Sequence, residues 1–380
     1  MRLSLPISAF VAAVVGFGGT LAIIIAAATA LGATRAETAS WVTAICLAMA
    51  VESLWLSWRT RMPVITAWST PGAALVAASS GFTMADGVGA FIVTALLLIL
   101  TGLFRPLTQL IARIPASVAS GMLAGIVVTF GINAVKTITI DPWLALPLIA
   151  AFFVIRVFNP AMSVLVVLVG GGLAAWLTGR VGELPAPELS SLTLIEPAFS
   201  LANVVGLAIP LYLVTMASQN LSGLAVLRAA GYDPKPGPII AVTGFVSLLS
   251  APFGALTTNL AAISAAICTG PDAHPDPAER WKTGPFYALA YLIFAIFGAS
   301  LVGVFAVLPS SLIVLTAGLA LMAPLANALA IALREEGERM AATAAFVFTA
   351  SGLAVAGIGS AFWGLVAGLI VLTLDRFKKA

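Results

Sequence analysis

Polar positions are scarce along this chain, and their placement organises it. Between them, apolar runs of roughly 18 residues or more, long enough to cross a bilayer, recur from one end to the other. Cutting at charged, proline-rich and glycine-rich breaks predicts about fourteen apolar segments. They cover approximately 6–32, 37–58, 63–80, 86–104, 114–135, 141–157, 160–179, 201–228, 237–253, 255–270, 282–306, 309–333, 341–356 and 359–374. The longest polar interruption in the middle, "GRVGELPAPELSSLTLIEPAFS" (179–200), separates two sets of seven.

Composition agrees. Of 380 residues, 61% are hydrophobic and 9% charged, against roughly 25% charged in a soluble domain. Mean hydropathy is +1.11. These values predict a polytopic integral membrane protein. The first apolar stretch, from about Pro6 to Gly32, exceeds the roughly 7–15 residues of a signal peptide and reads as a retained first span. With the N-terminus inside, 15 of the 18 Lys and Arg fall on one face, Arg2, Arg59, Arg61, Arg105 and Arg113 among them. Only Arg35, Lys136 and Arg180 fall on the other. The positive-inside rule then puts both termini in the cytoplasm. The net charge of +3 is thus topological and gives no reason to expect nucleic acid. Cys46 and Cys268 sit in separate apolar segments and His274 is the lone histidine, so neither a metal centre nor a cofactor is expected.

Two stretches recur. "STPGAALVAASSG" (69–81) aligns on "TTNLAAISAAICT" (257–269) at an offset of 188, and "RIPASVASGMLAG" (113–125) on "VLPSSLIVLTAG" (307–318) at 194 and then 193. Both fall in matching segments, the third and fifth, of each set of seven. Because seven is odd, the second copy enters the membrane with opposite polarity, an inverted-topology repeat of the kind found in secondary transporters.

The third and tenth segments are broken. "PVITAWS" (63–69) is β-branched and aromatic, which favours extended backbone, and "TPG" (70–72) follows it. Thr70 precedes a proline, Pro71 suits the start of a helix, and Thr70 is placed to cap it. In the second copy Pro252 and Gly254 interrupt "SAPFGALTTN", so a new helix is expected near Thr258 or Asn259. Irregular backbone at membrane depth survives only inside protein or beside a watery cavity. Two half-helix N-termini facing one another would offer free N–H groups and partial positive charge to an anion, with no basic side chain. The plainer reading is a pair of proline-kinked helices.

Other polar positions are few. Thr215, Ser218, Gln219 and Ser222 follow i, i+3, i+4, i+7 and predict one stripe on the eighth segment, with Asn220 turned about 100° away. Gly16, Gly19 and Thr20 form a small-residue stripe on the first. Glu52 is the one acidic residue deep in an apolar segment. An intramembrane carboxyl is a proton-coupling candidate, and the alternative is an interfacial pair with Arg59, one heptad on. His274 lies in the polar loop "GPDAHPDPAERW" (270–281).

"TAWSTPGAAL" (66–75), "LVTMASQN" (213–220), "NLAAISAAIC" (259–268), "PDAHPDPAERW" (271–281) and "GIGSAFWGLVAG" (357–368) together resemble the BenE family of bacterial benzoate/proton symporters. The resemblance covers essentially the whole chain. It implies an all-α membrane fold of about 14 segments in a 7+7 inverted repeat, like the nucleobase and sulfate transporters, with broken helices 3 and 10 carrying short extended pieces. It also implies a core of helices 1–4 (1–105) and 8–11 (201–307) working against a gate of helices 5–7 (106–180) and 12–14 (308–380), joined by an outer linker, 181–200. Carried over, the substrate site comprises Ser69, Thr70, Pro71 and Gly72, then Thr257, Thr258 and Asn259, then Gln219, with Thr215, Ser218 and Asn220 beside it. Nucleobase carriers have glutamates where this chain has the neutral neighbourhoods of Ser218, Gln219 and Asn259, a departure that suits an anionic substrate.

The expected protein is a proton-coupled importer of benzoate or a similar aromatic carboxylate in the bacterial inner membrane. Its partners are that substrate, protons and lipid; oligomeric state stays open. A carrier of another small anion (an aliphatic carboxylate or inorganic oxyanion), or of a nucleobase-like substrate, is the alternative. A membrane hydrolase using Ser360 is a remote one, since no serine–histidine pair can be assembled.

Overall fold

The computed structural model describes residues 3–104, 115–355 and 358–379. Arg2, Arg105 and Arg113, the boundary drawn at 105/106, and Gly357 of the last motif lie outside the described residues. Among the described residues, fourteen segments appear in the predicted order. Eight are helices long and apolar enough to cross a membrane: α1 (Ser4–Ala30), α2 (Arg35–Thr60), α4 (Met84–Leu103), α5 (Ala116–Ile140), α8 (Leu201–Ala229), α9 (Pro236–Phe253), α12 (Ser310–Ala332) and α14 (Ser360–Lys379). Helix α11 is a bent pair, Pro277–Ile296 and Gly298–Val307, turned by 62°. Shorter helices are α6 (Pro142–Phe158), α7 (Pro160–Leu177) and α13 (Arg339–Ala350). The third and tenth segments are broken: strand β1 (Thr66–Trp68) leads into α3 (Thr70–Ala78), and β2 (Thr258–Leu260) into α10 (Ile263–Thr269).

The strands meet. β1 and β2 pair antiparallel, with Thr66 opposite Leu260, Ala67 opposite Asn259 and Trp68 opposite Thr258. This satisfies backbone groups that a broken helix leaves bare inside the bilayer. It also corrects two expectations. Thr258 and Asn259 belong to a strand, not to a helix start. And position 66 matches 258 while 70 matches 263, so the true repeat offset there is 192 to 193. The alignment at 188 had slipped by about one helical turn, which small residues in an alanine-rich helix tolerate. Ala67 pairs with Asn259, its own counterpart at the 192 offset, so the pseudo-two-fold axis passes through that pair.

Each repeat grips its strand the same way. Ser53 of α2 accepts the Thr66 amide at 3.1 Å and bonds its hydroxyl at 3.0 Å; Ser247 of α9 accepts the Thr258 amide at 2.9 Å and bonds its hydroxyl at 2.9 Å. The two α9 and α2 positions differ by 194, again near the repeat offset. Gly254 ends α9 in the left-handed region at φ +87°, where a side chain would be strained. The strap at 181–200 has no regular structure, yet it is pinned: Ser190 N–H bonds Ile296 O, Ile195 N–H bonds Pro252 O and Ala198 N–H bonds Ala85 O.

A second clasp closes the joint of α5 and α6. Arg180 donates to both Asp141 oxygens, at 3.1 and 2.5 Å, and Ser311 donates to Oδ2 at 3.0 Å. The guanidinium holds the Asp141 carboxyl below the ordinary carboxylate range. These bonds tie α5, α6, α7 and α12 together.

Candidate functional site

The start of α3 follows from its sequence. Ser69, not Thr70, caps the helix: its Oγ accepts from Gly72 N–H at 3.1 Å, and Thr70 and Pro71 are the first two helical residues. The extended run stops one residue earlier than expected, at Trp68, so the cap moves back by one. A serine cap is worth about 1 kcal/mol. Thr215 of α8 donates to the same Ser69 Oγ at 3.0 Å, and Ser69 N–H bonds Thr257 O at 3.2 Å. Pro71 has no N–H, so α3 brings few free donors. α10 differs, with no side-chain cap and its first helical bond at Ala266 N–H to Ala262 O. Its opening amides are the freer set.

Both helix starts line one cavity of about 290 Å³, close to the lower bound of roughly 300 Å³ for ligand pockets. Thr70 and Pro71 come from α3, Ile263 and Ser264 from α10, Ala67 and Trp68 from β1, and Ala261 from just after β2. α1 adds Val15, Gly16 and Thr20; α8 adds Ser218, Gln219 and Ser222; α11 adds Tyr291. The opposite wall is Leu123 of α5 with Ala320, Ala323, Pro324 and Asn327 of α12. No Lys, Arg, His, Asp or Glu is among the lining residues. A void of about 20 Å³ shares Ser218, Ser222 and Asn327 and reaches Ile331, toward the C-terminal end of α12.

Of the expected site residues, Thr70, Pro71, Ser218 and Gln219 reach the cavity. The others build the frame behind it. Ser69 and Gly72 form the cap, and a Cβ on Gly72 would lie 2.5 Å from Leu211 Cδ1. Asn220 Oδ1 accepts the Leu260 amide at 3.1 Å, so it holds β2 and does not reach the cavity. With its amide oriented to satisfy both atoms, Asn259 accepts Ser69 N–H at 2.9 Å. Thr257 and Thr258 are fully buried in and beside β2. The polar stripe divides because residues 215–220 form a π-helical turn. Thr215 is turned to Ser69, while Ser218, Gln219 and Ser222 face the cavity. Such turns cluster at functional sites.

Glu52 is fully buried, so the interfacial pairing with Arg59 is not the arrangement. One oxygen accepts from Thr258 Oγ1 at 2.5 Å; the other has no hydrogen-bond partner. It reaches across the pseudo-two-fold axis, from the helix that grips β1 to the strand gripped by α9. At the 194 offset its counterpart is Val246. His274 stays in its loop, accepting Asp276 N–H, while buried Arg280 donates to the carbonyls of Thr269, His274 and Pro275.

Sequence reasoning missed the aromatic side of the cavity, Trp68 and Tyr291, and also Ser264 and Asn327. Asn327 is the one polar residue of "LMAPLANALAIAL" (321–333), a signal that was available. Nothing in the sequence pointed Tyr291 at β1.

The geometry can be set against known proteins. The family model described as benzoate membrane transport protein, BenE, matches residues 2–374. The chain belongs to the BenE family. It is 42% identical over 364 residues to the inner membrane protein YdcO of Escherichia coli (strain K12), covering 95% of this chain and 93% of that one. It is 33% identical over 380 residues to the benzoate membrane transport protein of Acinetobacter baylyi, covering 100% and 96%. Among solved structures, the transmembrane domain of the cyanobacterial bicarbonate transporter BicA superposes with a TM-score of 0.59 at 15% identity, over 99% of this chain and 97% of that one. SLC26A9 gives 0.63 at 13% identity, over 98% of this chain and 65% of that longer one. The likeness to both shows the inverted-repeat fold. As a member of this family the chain is a membrane transporter and not an enzyme, which removes the hydrolase reading.

Proposed function

We propose that this transporter imports benzoate or a similar aromatic carboxylate together with protons, by alternating access across the bacterial inner membrane. The observation that carries the reading is the cavity itself. Its polar groups come from the two half-helix starts, from Ser218, Gln219 and Ser222, and from Thr20 and Asn327; the rest of its lining is apolar or aromatic, and it contains no charge of either sign. The carboxylate docks at the α10 amides and Thr70, with Gln219 donating. A carboxylate side chain here would repel such a guest; a basic one would hold it too tightly to release.

The cavity lies between α1, α3, α8, α10 and α11 on one side and α5 and α12 on the other. That division supports a core of helices 1–4 and 8–11 moving against a gate of helices 5–7 and 12–14. By the positive-inside count the termini are cytoplasmic, so the void reaching Ile331 leads inward. Glu52 is the proton-carrying residue of this reading. It is a buried carboxyl with one unpartnered oxygen, bonded to the strand that leads into α10.

The test is initial uptake of radiolabelled benzoate into proteoliposomes, with and without an inside-alkaline gradient, after subtracting entry of the neutral acid into protein-free vesicles. Protein-dependent, gradient-stimulated uptake that Gln219→Ala abolishes is expected. Uptake competed equally by short aliphatic acids would replace the aromatic substrate with a smaller anion.

A further inference from the structure

The cavity has an aromatic corner. Trp68 ends β1 and Tyr291 lies on α11, and both line the cavity. Their ring centroids are 6.4 Å apart and their planes 82° from each other. Behind them Phe17 and Phe294 complete the cluster without reaching the cavity: Phe17 meets Trp68 at 5.7 Å and Tyr291 at 6.4 Å, and Phe294 meets Tyr291 at 5.5 Å. The corner is therefore backed on both sides and held in place.

The Trp68 polar atom is occupied. Its indole N–H donates to Thr20 Oγ1 at 2.8 Å, and that hydroxyl donates in turn to Gly16 O at 2.7 Å. The indole thus has no donor left for a carboxylate and offers the cavity only ring carbon. Gly16 keeps the corner open, because a Cβ there would lie 3.3 Å from Tyr291 Oη and 2.9 Å from Ser264 Oγ.

We infer that Trp68 and Tyr291 are specificity residues that select a flat, unsaturated ring over a saturated ring of similar size. This rests on the aromatic-carboxylate reading and adds its discriminating element. The reason is geometric. A ring parallel to one of two nearly perpendicular rings is edge-on to the other. A planar guest therefore makes a stacked and an edge-to-face contact at once, both favoured by aromatic quadrupoles. A puckered ring has neither a π-face nor a polarised edge. Ring and carboxylate are read separately, since Trp68 stands two residues before the Thr70 start of α3.

The experiment compares protein-dependent uptake of radiolabelled benzoate and cyclohexanecarboxylate by wild type, Trp68→Leu, Tyr291→Leu and Tyr291→Phe. The wild type is expected to prefer benzoate by about tenfold, and each leucine variant to lose most of that ratio, roughly fivefold, through benzoate alone. Tyr291→Phe keeps the ring and is expected to keep the preference. Two separate variants guard against one failing to fold. A preference surviving in both leucine variants, or absent from the wild type, overturns the corner while leaving carboxylate transport intact. Uptake of neither acid by wild type overturns the substrate reading and the corner with it.

Discussion

Replacing Glu52 by glutamine exchanges one driving force for another. Glu52 is the one fully buried carboxyl among the described residues, so the proposed cycle moves one proton per substrate. A monoanion crossing with one proton carries no net charge. Wild-type uptake should therefore ignore membrane potential and respond to pH, each unit of gradient supplying about 1.4 kcal/mol, or tenfold. In Glu52→Gln the side-chain oxygen still accepts from Thr258, and the amide replaces the oxygen that has no partner. The buried, unpaired amide costs roughly 1–3 kcal/mol, which a well-packed membrane protein survives. Without a titrating group the loaded carrier moves a bare anion. Its uptake becomes electrogenic, with about 2.3 kcal/mol per 100 mV acting on it. The assay is initial protein-dependent benzoate uptake in proteoliposomes, with pH gradient and potassium-diffusion potential set independently. Gradient-driven, potential-blind uptake by Glu52→Gln would refute the assignment.

Two further outcomes test the frame. Gly16→Val places a Cβ 2.9 Å from Ser264 Oγ and pushes methyl groups into the cavity; uptake should fall by more than about tenfold while overpacking costs roughly 1–3 kcal/mol of stability, read by melting in detergent. Asp141→Asn should lower the melting temperature at neutral pH, because the Arg180-paired carboxyl is held below its ordinary value. A depressed carboxyl contributes stability that is complete above about pH 4 and is lost as pH falls through its lower folded value. The difference between Asp141→Asn and wild type should accordingly vanish in strong acid, and an equal gap at both pH values would remove the clasp from the account.

Hydropathy alone carried the fold to its fourteen segments, because a bilayer allows only long apolar helices or closed barrels. Prolines marked the breaks, because Pro71 at the start of α3 and Pro252 in the last turn of α9 cannot continue an α-helix. The pairing of β1 with β2 was not legible: residues 258–260 read as the edge of a helix until the partner strand is known. The cap moved from Thr70 to Ser69 for a similar reason, since both residue types cap well and only the ladder fixes where extension ends. Thr215 fell off its stripe because a π-helical turn shifts the phase by one residue. Tyr291 and Trp68 are 223 positions apart in number, and no periodicity links them.

The repeat itself explains why Glu52 stands out. Ser53 with Thr66 and Ser247 with Thr258 are the same clamp built twice, and the backbone acceptors beyond them, Met49 O and Thr243 O, again differ by 194. Inverted repeats of this kind give inward- and outward-facing forms comparable energies, because each half can adopt the conformation of the other. A coupling ion must break that balance in a way that depends on loading. Glu52 breaks the symmetry at the clamp: Val246 stands at the matching place in the second repeat, and the carboxyl crosses to bond the second repeat's threonine. A proton placed there weakens the hold on the second repeat's Thr258, and that strand is the one that runs directly into the α10 amides proposed to hold the carboxylate. Substrate and proton would then be sensed by a single short segment, Thr258 to Ile263, with no longer path required between them.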